Sequence, residues 1–260
     1  MRSARVLVTG STQGLGLLAA ELLARDGHAV TLHARSAARA ADARRALPAA
    51  AGVLVGDLET LAGMRAVAEQ AKAAGPFDAV IHNAAVGDEE PRHETPDGLE
   101  HVFAVNVLSP YLLTASLPPP KRLVYLGSGL HQGGRDQLDD PLWKRRRWSG
   151  TQAYSDSKLY DIVLAFAIAR RWPRVVSNAV DPGWVPTRMG GPRAPDDLTL
   201  GAVTQAWLAV SDDAGAMVTG RYLFHQELQD VHAAAKNVRF QDELLAYCAS
   251  LTGVPLPEGA

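Results

Sequence analysis

The first apolar run, Val6-Leu7-Val8, leads into Thr9-Gly10-Ser11-Thr12-Gln13-Gly14-Leu15-Gly16, and a helical pattern follows at once. This strand, glycine loop and helix constrain the fold more than any other feature of the chain. Each glycine has its own use. One permits the tight turn, one lets backbone approach a pyrophosphate, and one lets the helix pack closely on the strand. The unpaired N–H groups of the helix start then face the anion. A glycine triplet alone is a weak signal, and its setting between strand and helix gives it weight. The bland alternative is an ordinary strand–helix turn.

The rest of the chain keeps the same rhythm. Apolar, β-branched runs at 6–8, 29–32, 53–55, 79–81, 123–126 and 175–180 alternate with helical patterns at 14–26, 36–46, 60–74, 97–116, 152–171 and 198–211. A last strand near 218–224 and a helix near 239–251 follow. Runs that are apolar on both faces read as buried parallel strands. Strand–helix alternation means right-handed crossovers and an α/β, Rossmann-type doubly wound parallel sheet of about seven strands, with helices on both faces. At 260 residues the whole chain, 1–260, is expected to be a single domain. Thr95 before Pro96-Asp97 predicts a helix start, and Pro118-Pro119-Pro120 must stop that helix. The stretch 182–195, rich in Pro and Gly, predicts a mobile loop.

Composition removes several classes of function. A formal net charge of −2 gives no footprint for nucleic acid. The one cysteine, Cys248, lies in the apolar stretch Leu244–Cys248 and reads as a core residue, which fits a reducing cytoplasm. No stretch approaches the roughly 20 apolar residues of a membrane span. Val6–Val8 is too short for the apolar part of a secretion signal. The expectation is a cytoplasmic protein without a membrane or nucleic-acid partner. No His, Cys and carboxylate set has metal-ligand spacing.

The spacing T-G-x-x-x-G-x-G in Thr9–Gly16 resembles that of the short-chain dehydrogenase/reductase family, and the resemblance extends over essentially the whole chain. It implies a nicotinamide dinucleotide. A loop that binds NAD usually has an acidic residue about 20 positions on, at the ribose 2′-hydroxyl. Here the second strand ends Leu32-His33-Ala34-Arg35-Ser36. Arg35 can pair with a 2′-phosphate and stack on adenine, with Ser11 and Ser36 adding hydroxyl donors. NADP(H) is therefore favoured, with NAD(H) as the second option. By resemblance, Asp57 accepts from the adenine amino group and Leu58 lies near the ring. Asn83-Ala84-Ala85 resembles the family's N-A-G, with small residues leaving room for the ribose. The loop residues Gly10, Ser11, Gln13, Gly14, Leu15 and Gly16 complete the expected cofactor contacts.

Tyr154-Ser155-Asp156-Ser157-Lys158 places Tyr154 and Lys158 one helical turn apart on one face. A phenol titrates near 10 when unperturbed, and a neighbouring cation favours the phenolate. By resemblance, Lys158 also holds the nicotinamide ribose hydroxyls. Ser128 in Gly127-Ser128-Gly129 matches the serine that polarises the substrate carbonyl. It lies 26 positions before Tyr154, about double the family's usual separation, as in the branch that includes the retinol dehydrogenases. Asn106 at the end of Asp97–Asn106 resembles that same branch, where the asparagine interrupts a helix and holds a water of a proton relay. Asp181-Pro182-Gly183-Trp184-Val185-Pro186-Thr187 matches P-G-x-V-x-T. Pro182, Gly183, Val185 and Thr187 are expected at the nicotinamide amide, and the segment 188–197 is expected to close over substrate.

The resemblance thus implies hydride transfer between NADP(H) and a small carbonyl or alcohol, with Asn106, Ser128, Tyr154 and Lys158 as the catalytic set. Leu130, Trp184 and Met189 are candidates for the substrate pocket. A homodimer or homotetramer is expected. His131 reads as a solvated or hydrogen-bonded loop residue, and Lys144–Arg147 reads as a solvated loop. Trp143 and Trp148 are alternative residues for the substrate mouth. Two other readings share the fold. A dinucleotide-sensing regulatory or scaffold protein would usually lack the tyrosine or serine. A sugar-nucleotide epimerase would have another glycine spacing and a longer C-terminal region.

Overall fold

The computed structural model describes residues 3–87 and 91–259. Eight strands form one sheet in the order β3-β2-β1-β4-β5-β6-β7-β8. These are β1 (Arg5–Val8), β2 (Ala29–Ala34), β3 (Gly52–Val55), β4 (Ala79–His82), β5 (Arg122–Leu126), β6 (Val176–Asp181), β7 (Tyr222–Phe224) and β8 (Glu227–Leu228). β1 to β7 are parallel, and their register pairs Val6 with Val30 on one side and with Ala79 on the other. Chain order reverses between β1 and β4. In such sheets a crevice opens there, beyond the carboxyl ends of the strands.

Helices cover both faces. One core joins β1, β4 and β5 to α3 (Leu61–Ala74), α5 (Ser109–Ser116), α6 (Gly150–Arg171) and α8 (Val238–Thr252) through Leu7, Met64, Tyr111, Ile162 and Leu244. The other packs α1 (Gly14–Arg25), α2 (Ala37–Ala46) and α7 (Leu198–Val210) on the far face through Val6, Leu23, Val30, Ala43 and Leu208. Strands buried from both sides must be apolar throughout, which is why their sequence runs lack alternation.

The helix expected over 97–116 begins later and is broken. Thr95 closes a turn instead of starting the helix. Its carbonyl accepts from Gly98 N at 2.9 Å, and Gly98 takes φ +73. Helix α4 (His101–Phe103) starts at Glu100, whose carboxylate accepts from the N–H groups of Val102 and Phe103, both at 2.8 Å. A single π-helical turn, Ala104–Leu108, joins α4 to α5. The prolines end α5 as expected, with Leu117 already extended.

At the far edge β7 is shorter than the expected 218–224, and an eighth strand turns back against it. The two turn residues, His225 and Gln226, have φ of +48 and +68. Such a turn usually advertises itself with Asn or Gly. Here a tertiary contact holds it, from Gln226 N to Thr204 Oγ1 at 3.1 Å.

Candidate active site

The glycine loop leaves β1 and is tied to the end of β4. Gly10 has φ +61, and a Cβ there would lie 2.7 Å from Ala84 Cα. A Cβ on Gly16 would lie 2.8 Å from the Gly10 carbonyl and would also strike the Asn83 amide. That amide donates to the carbonyls of Thr9 at 2.9 Å and Gly10 at 3.2 Å. Thr9 Oγ1 in return accepts from Asn83 N and Ala84 N, both at 3.0 Å. Asn83 and Ala84 therefore clamp the loop, and Ala85 follows at the same strand end. The loop leads into α1 at Gly14 and Leu15, with Gln13 at its N-cap but no side-chain cap. The starts of α2, α3, α6, α7 and α8 are capped by Ser36, Thr60, Ser149, Asp197 and Asn237. No side chain caps the first-turn N–H groups of α1.

Ser11 requires a correction. It is fully buried, its hydroxyl donates to Val8 O at 2.7 Å, and it accepts from His33 N at 2.9 Å. Its hydroxyl ties β1 to β2 and does not face the loop's outer side. Ser36 uses its oxygen to cap α2, accepting from Arg39 N at 3.4 Å. Arg35 is exposed at the tip of β2. On α2 stands Arg39, which the sequence reading missed. Arg39 donates to Thr12 Oγ1 at 3.0 Å and Gln13 Oε1 at 2.8 Å, and pairs with Asp42 at 3.3 Å. Its signal was a second cation four residues after Arg35.

His33 was also missed. Its Nδ1 accepts from Gly10 N at 3.0 Å and its Nε2 donates to Gly56 O at 2.9 Å, which fixes the neutral tautomer. Burial lowers its pKa, opposed by the bond to Gly56 and by the charge of Asp57. Asp57 does not cap α3. Its carboxylate accepts from Glu59 N at 3.2 Å, while Thr60 caps the helix. The Leu58 side chain is buried in the core.

Tyr154 and Lys158 lie on α6 as the spacing requires, with Lys158 Nζ 5.7 Å from the centre of the Tyr154 ring. Tyr154 is half-buried and Lys158 is buried. The ammonium donates to Leu126 O, the last residue of β5, at 2.7 Å. It also pairs with Asp161 Oδ2 at 3.5 Å. Burial pushes the Asp161 carboxyl up to about 7 although Lys158 pulls it down.

Asn106 sits in the π turn, so the expected break in the helix falls at the expected residue. Its Oδ1 accepts from Val86 N at 2.9 Å, and its Nδ2 donates to Val86 O at 3.1 Å and Ser157 Oγ at 3.0 Å. Ser157 donates onward to Tyr154 O at 2.7 Å. The amide thus holds the segment after β4 against α6.

Ser128 is half-buried beyond β5 and opens a short 3₁₀ helix, Gly129–Gly133. Its oxygen accepts from Leu130 N at 3.3 Å, leaving its own proton for another partner. A Cβ at Gly127 would lie 3.1 Å from Ile162 and 3.2 Å from Tyr222, so a serine does not fit there without repacking. Tyr222 donates to Asp181 Oδ2 at 2.8 Å. His131 is buried, with Nδ1 2.7 Å from Ser128 O and Nε2 accepting from His232 N at 3.3 Å. It is hydrogen-bonded and not solvated.

The segment from Pro182 folds back on itself. Gly183 takes φ +81 and donates to Asp181 Oδ1 at 2.9 Å. Val185 is buried, and Thr187 lies 3.7 Å from where a Cβ on Gly14 would stand. Trp184 Nε1 donates to Gly190 O at 2.8 Å. Leu130, Trp184 and Met189 are large apolar side chains left 46%, 60% and 46% exposed. Met189 also reaches Gly87, lying 3.1 Å from its Cβ position. Trp143, by contrast, is buried with Arg146 3.7 Å above its ring, so it does not line the mouth. Nor is Arg146 solvated, since it pairs with Asp156 at 3.1 Å. Lys144, Arg145 and Arg147 are exposed as expected.

Among the described residues no group of three or more His, Cys, Asp or Glu is placed to hold a metal ion. No helix among them is long and apolar enough to cross a membrane.

The family model described as short chain dehydrogenase matches residues 4–122. An uncharacterized oxidoreductase of Emericella nidulans is 41% identical over 260 residues, covering 98% of this chain and 99% of that protein. A short-chain dehydrogenase of Gibberella zeae is 40% identical, again over 98% of this chain and 99% of its own. A solved protein from Mycobacterium paratuberculosis superposes with a TM-score of 0.85 at 26% identity, covering 98% of this chain and 95% of that one. A blue fluorescent protein from a metagenomic library, solved in complex with NADPH, has a TM-score of 0.68 at 24% identity over 85% of this chain and 95% of its own.

Proposed function

Because the chain belongs to the short-chain dehydrogenase/reductase family of oxidoreductases, we propose that it moves hydride between NADP(H) and a carbonyl or alcohol, with Tyr154 exchanging the proton. The observation that carries this is the pair on α6, a half-buried phenol with a buried ammonium 5.7 Å from its ring, at the strand end where Ser128 emerges.

The chain fits the cofactor at both ends. The first turn of α1 has no side-chain cap, and Gly10 presses on Ala84 with no room for a side chain. Backbone donors at Gln13–Gly16 suit the pyrophosphate. Arg35 and Arg39, with no carboxylate between them, suit a 2′-phosphate better than a free hydroxyl. The NADPH bound by the metagenomic protein supports the same choice. At the other end Pro182, Gly183, Val185 and Thr187 form the wall for the nicotinamide amide. Bound there, the reduced nicotinamide supplies the hydride.

The chain's own residues do the rest. Ser128 donates to the substrate oxygen and orients it. Tyr154 donates a second hydrogen bond to that oxygen and gives up its proton as negative charge develops. Lys158 holds positive charge near the phenol and donates to the ribose hydroxyls. Asn106 fixes the α6 segment that carries both. The 26-residue separation of Ser128 from Tyr154 and the Asn106 motif support a place beside the retinol-dehydrogenase branch. On this reading the whole chain, 1–260, is one catalytic domain acting on a small molecule in the cytoplasm, as a homodimer or homotetramer. The apolar rim of Leu130, Trp184 and Met189 suits an apolar or aromatic carbonyl compound.

The test is NADPH oxidation against a panel of carbonyl compounds, with wild type and Tyr154→Phe. Turnover of apolar ketones or aldehydes, lost by about 100-fold or more in the variant, is the expected result. Undiminished turnover in Tyr154→Phe would refute the assignment.

A further inference from the structure

The Tyr154–Lys158 pair has a third member with no counterpart among the expected catalytic residues. Asp161 lies three residues beyond Lys158 on the same buried face of α6, and the two side chains are 3% and 2% exposed. A lysine ammonium has three N–H donors. One goes to Leu126 O at 2.7 Å and a second faces Asp161 Oδ2 at 3.5 Å, which leaves one for the Tyr154 side. The other carboxylate oxygen, Oδ1, is buried and has no hydrogen-bond partner among the described residues. A carboxylate kept only to hold the fold would normally have both oxygens satisfied. A half-satisfied one in the interior calls for a functional explanation.

The surroundings leave Lys158 as the group that Asp161 acts on. From β5, Tyr125 faces the carboxylate, but its hydroxyl is engaged with Thr114 Oγ1 at 2.8 Å. Behind Tyr125 stands His82, its ring centre 4.7 Å away and its Nε2 on the same Thr114 hydroxyl at 3.0 Å. His82 is held neutral by burial, so it does not compete as a cation. Lys158 is the one cation found to act on the Asp161 carboxyl among the described residues.

We propose that Asp161 is a positioning residue of the reaction: its carboxylate holds the Lys158 ammonium from behind and sets how much positive charge that ammonium presents to Tyr154. When the carboxyl is protonated, the phenol feels the full charge of the lysine. When it ionises, part of that charge is cancelled. The separations of 3.5 Å and 5.7 Å on either side of the ammonium place the carboxylate within about 9 Å of the Tyr154 ring. At an effective dielectric of about 20, a unit charge at that range moves a titration by about one pH unit.

The proposal rests on Tyr154 being the proton donor, and its test separates the two. The pH dependence of kcat/KM is measured for wild type, Asp161→Asn and Asp161→Glu with NADPH. In Asp161→Asn the alkaline limb of reduction is expected about one unit lower, and Asp161→Glu is expected to return it toward wild type. A second readout needs no turnover: the near-ultraviolet phenolate absorbance that Tyr154→Phe abolishes, titrated in the full chain. Its midpoint is expected to fall by the same amount in Asp161→Asn. Asp161→Ser, smaller and also uncharged, gives the same sign if charge is what matters, and serves if Asp161→Asn does not fold. A moved phenolate midpoint in a chain that turns over no carbonyl upholds the coupling of Asp161 through Lys158 to Tyr154 and refutes carbonyl reduction as the reaction that coupling serves. Turnover with both readouts unmoved overturns the proposal.

Discussion

Replacing Gly16 by alanine tests how the cofactor loop is built. The added Cβ would stand 2.8 Å from Gly10 O and would overlap the Asn83 amide. Asn83 must then give up its bonds to Thr9 O and Gly10 O, now 2.9 and 3.2 Å. Two such bonds contribute about 2 kcal/mol, and overpacking adds about 2 kcal/mol. Removing glycine from a helix returns about 1 kcal/mol. The net loss is about 3 kcal/mol, read by urea unfolding. NADPH affinity, read by fluorescence titration, should fall at least about tenfold, since losing one hydrogen bond to a charged group costs about 1.5 kcal/mol or more. Gly27→Ala is the control. Gly27 has φ +86 with nothing within 4 Å of its Cβ position, so only backbone strain of about 1 kcal/mol applies and cofactor binding is untouched. The reasoning fails if Gly16→Ala is no less stable than Gly27→Ala and binds NADPH like wild type.

Three further outcomes follow from the packing. Burial depresses His82 from 6.5 to about 3, so the unfolded chain takes up its proton first as the pH falls. Its contribution is intact above pH 6.5 and is lost below it, amounting to about 2 kcal/mol by pH 5. His82→Asn should flatten the fall in urea-unfolding stability between pH 7 and 5, and an unchanged slope would contradict the shift. Arg146→Ala removes the cation over Trp143 and unpairs the buried Asp156, and should cost about 3 kcal/mol in thermal or urea unfolding. Lys144→Ala, on an exposed residue, should stay within about 0.5 kcal/mol. Asn106→Ala leaves the Val86 N–H and C=O without their partner and should lower both kcat and stability, the latter by about 2 kcal/mol.

Features set by local spacing were legible in the sequence. Gly10 follows the first strand while Gly14 and Gly16 open the helix after it, and Tyr154 and Lys158 share a helix face; both follow from local chain order and helical spacing. The break at Asn106 came from the family motif and appears as a π turn. What stayed hidden depends on contacts between segments distant in sequence. Ser11 looked like a free donor because nothing nearby shows that its hydroxyl is taken up by Val8 and His33. Nothing in the sequence around His33 or Asp161 shows that Gly10 and Lys158 come against them in the structure. The turn at His225-Gln226 carries no turn residue, since Thr204 on α7 holds it.

The most direct test of the account is the binding of NADPH against NADH, followed by fluorescence, in wild type, Arg35→Ala and Arg39→Ala. The account predicts clearly tighter binding of NADPH to wild type. Each arginine variant should narrow the gap by about tenfold, with NADH little changed. Equal binding of the two cofactors by wild type, or a preference for NADH, would contradict it.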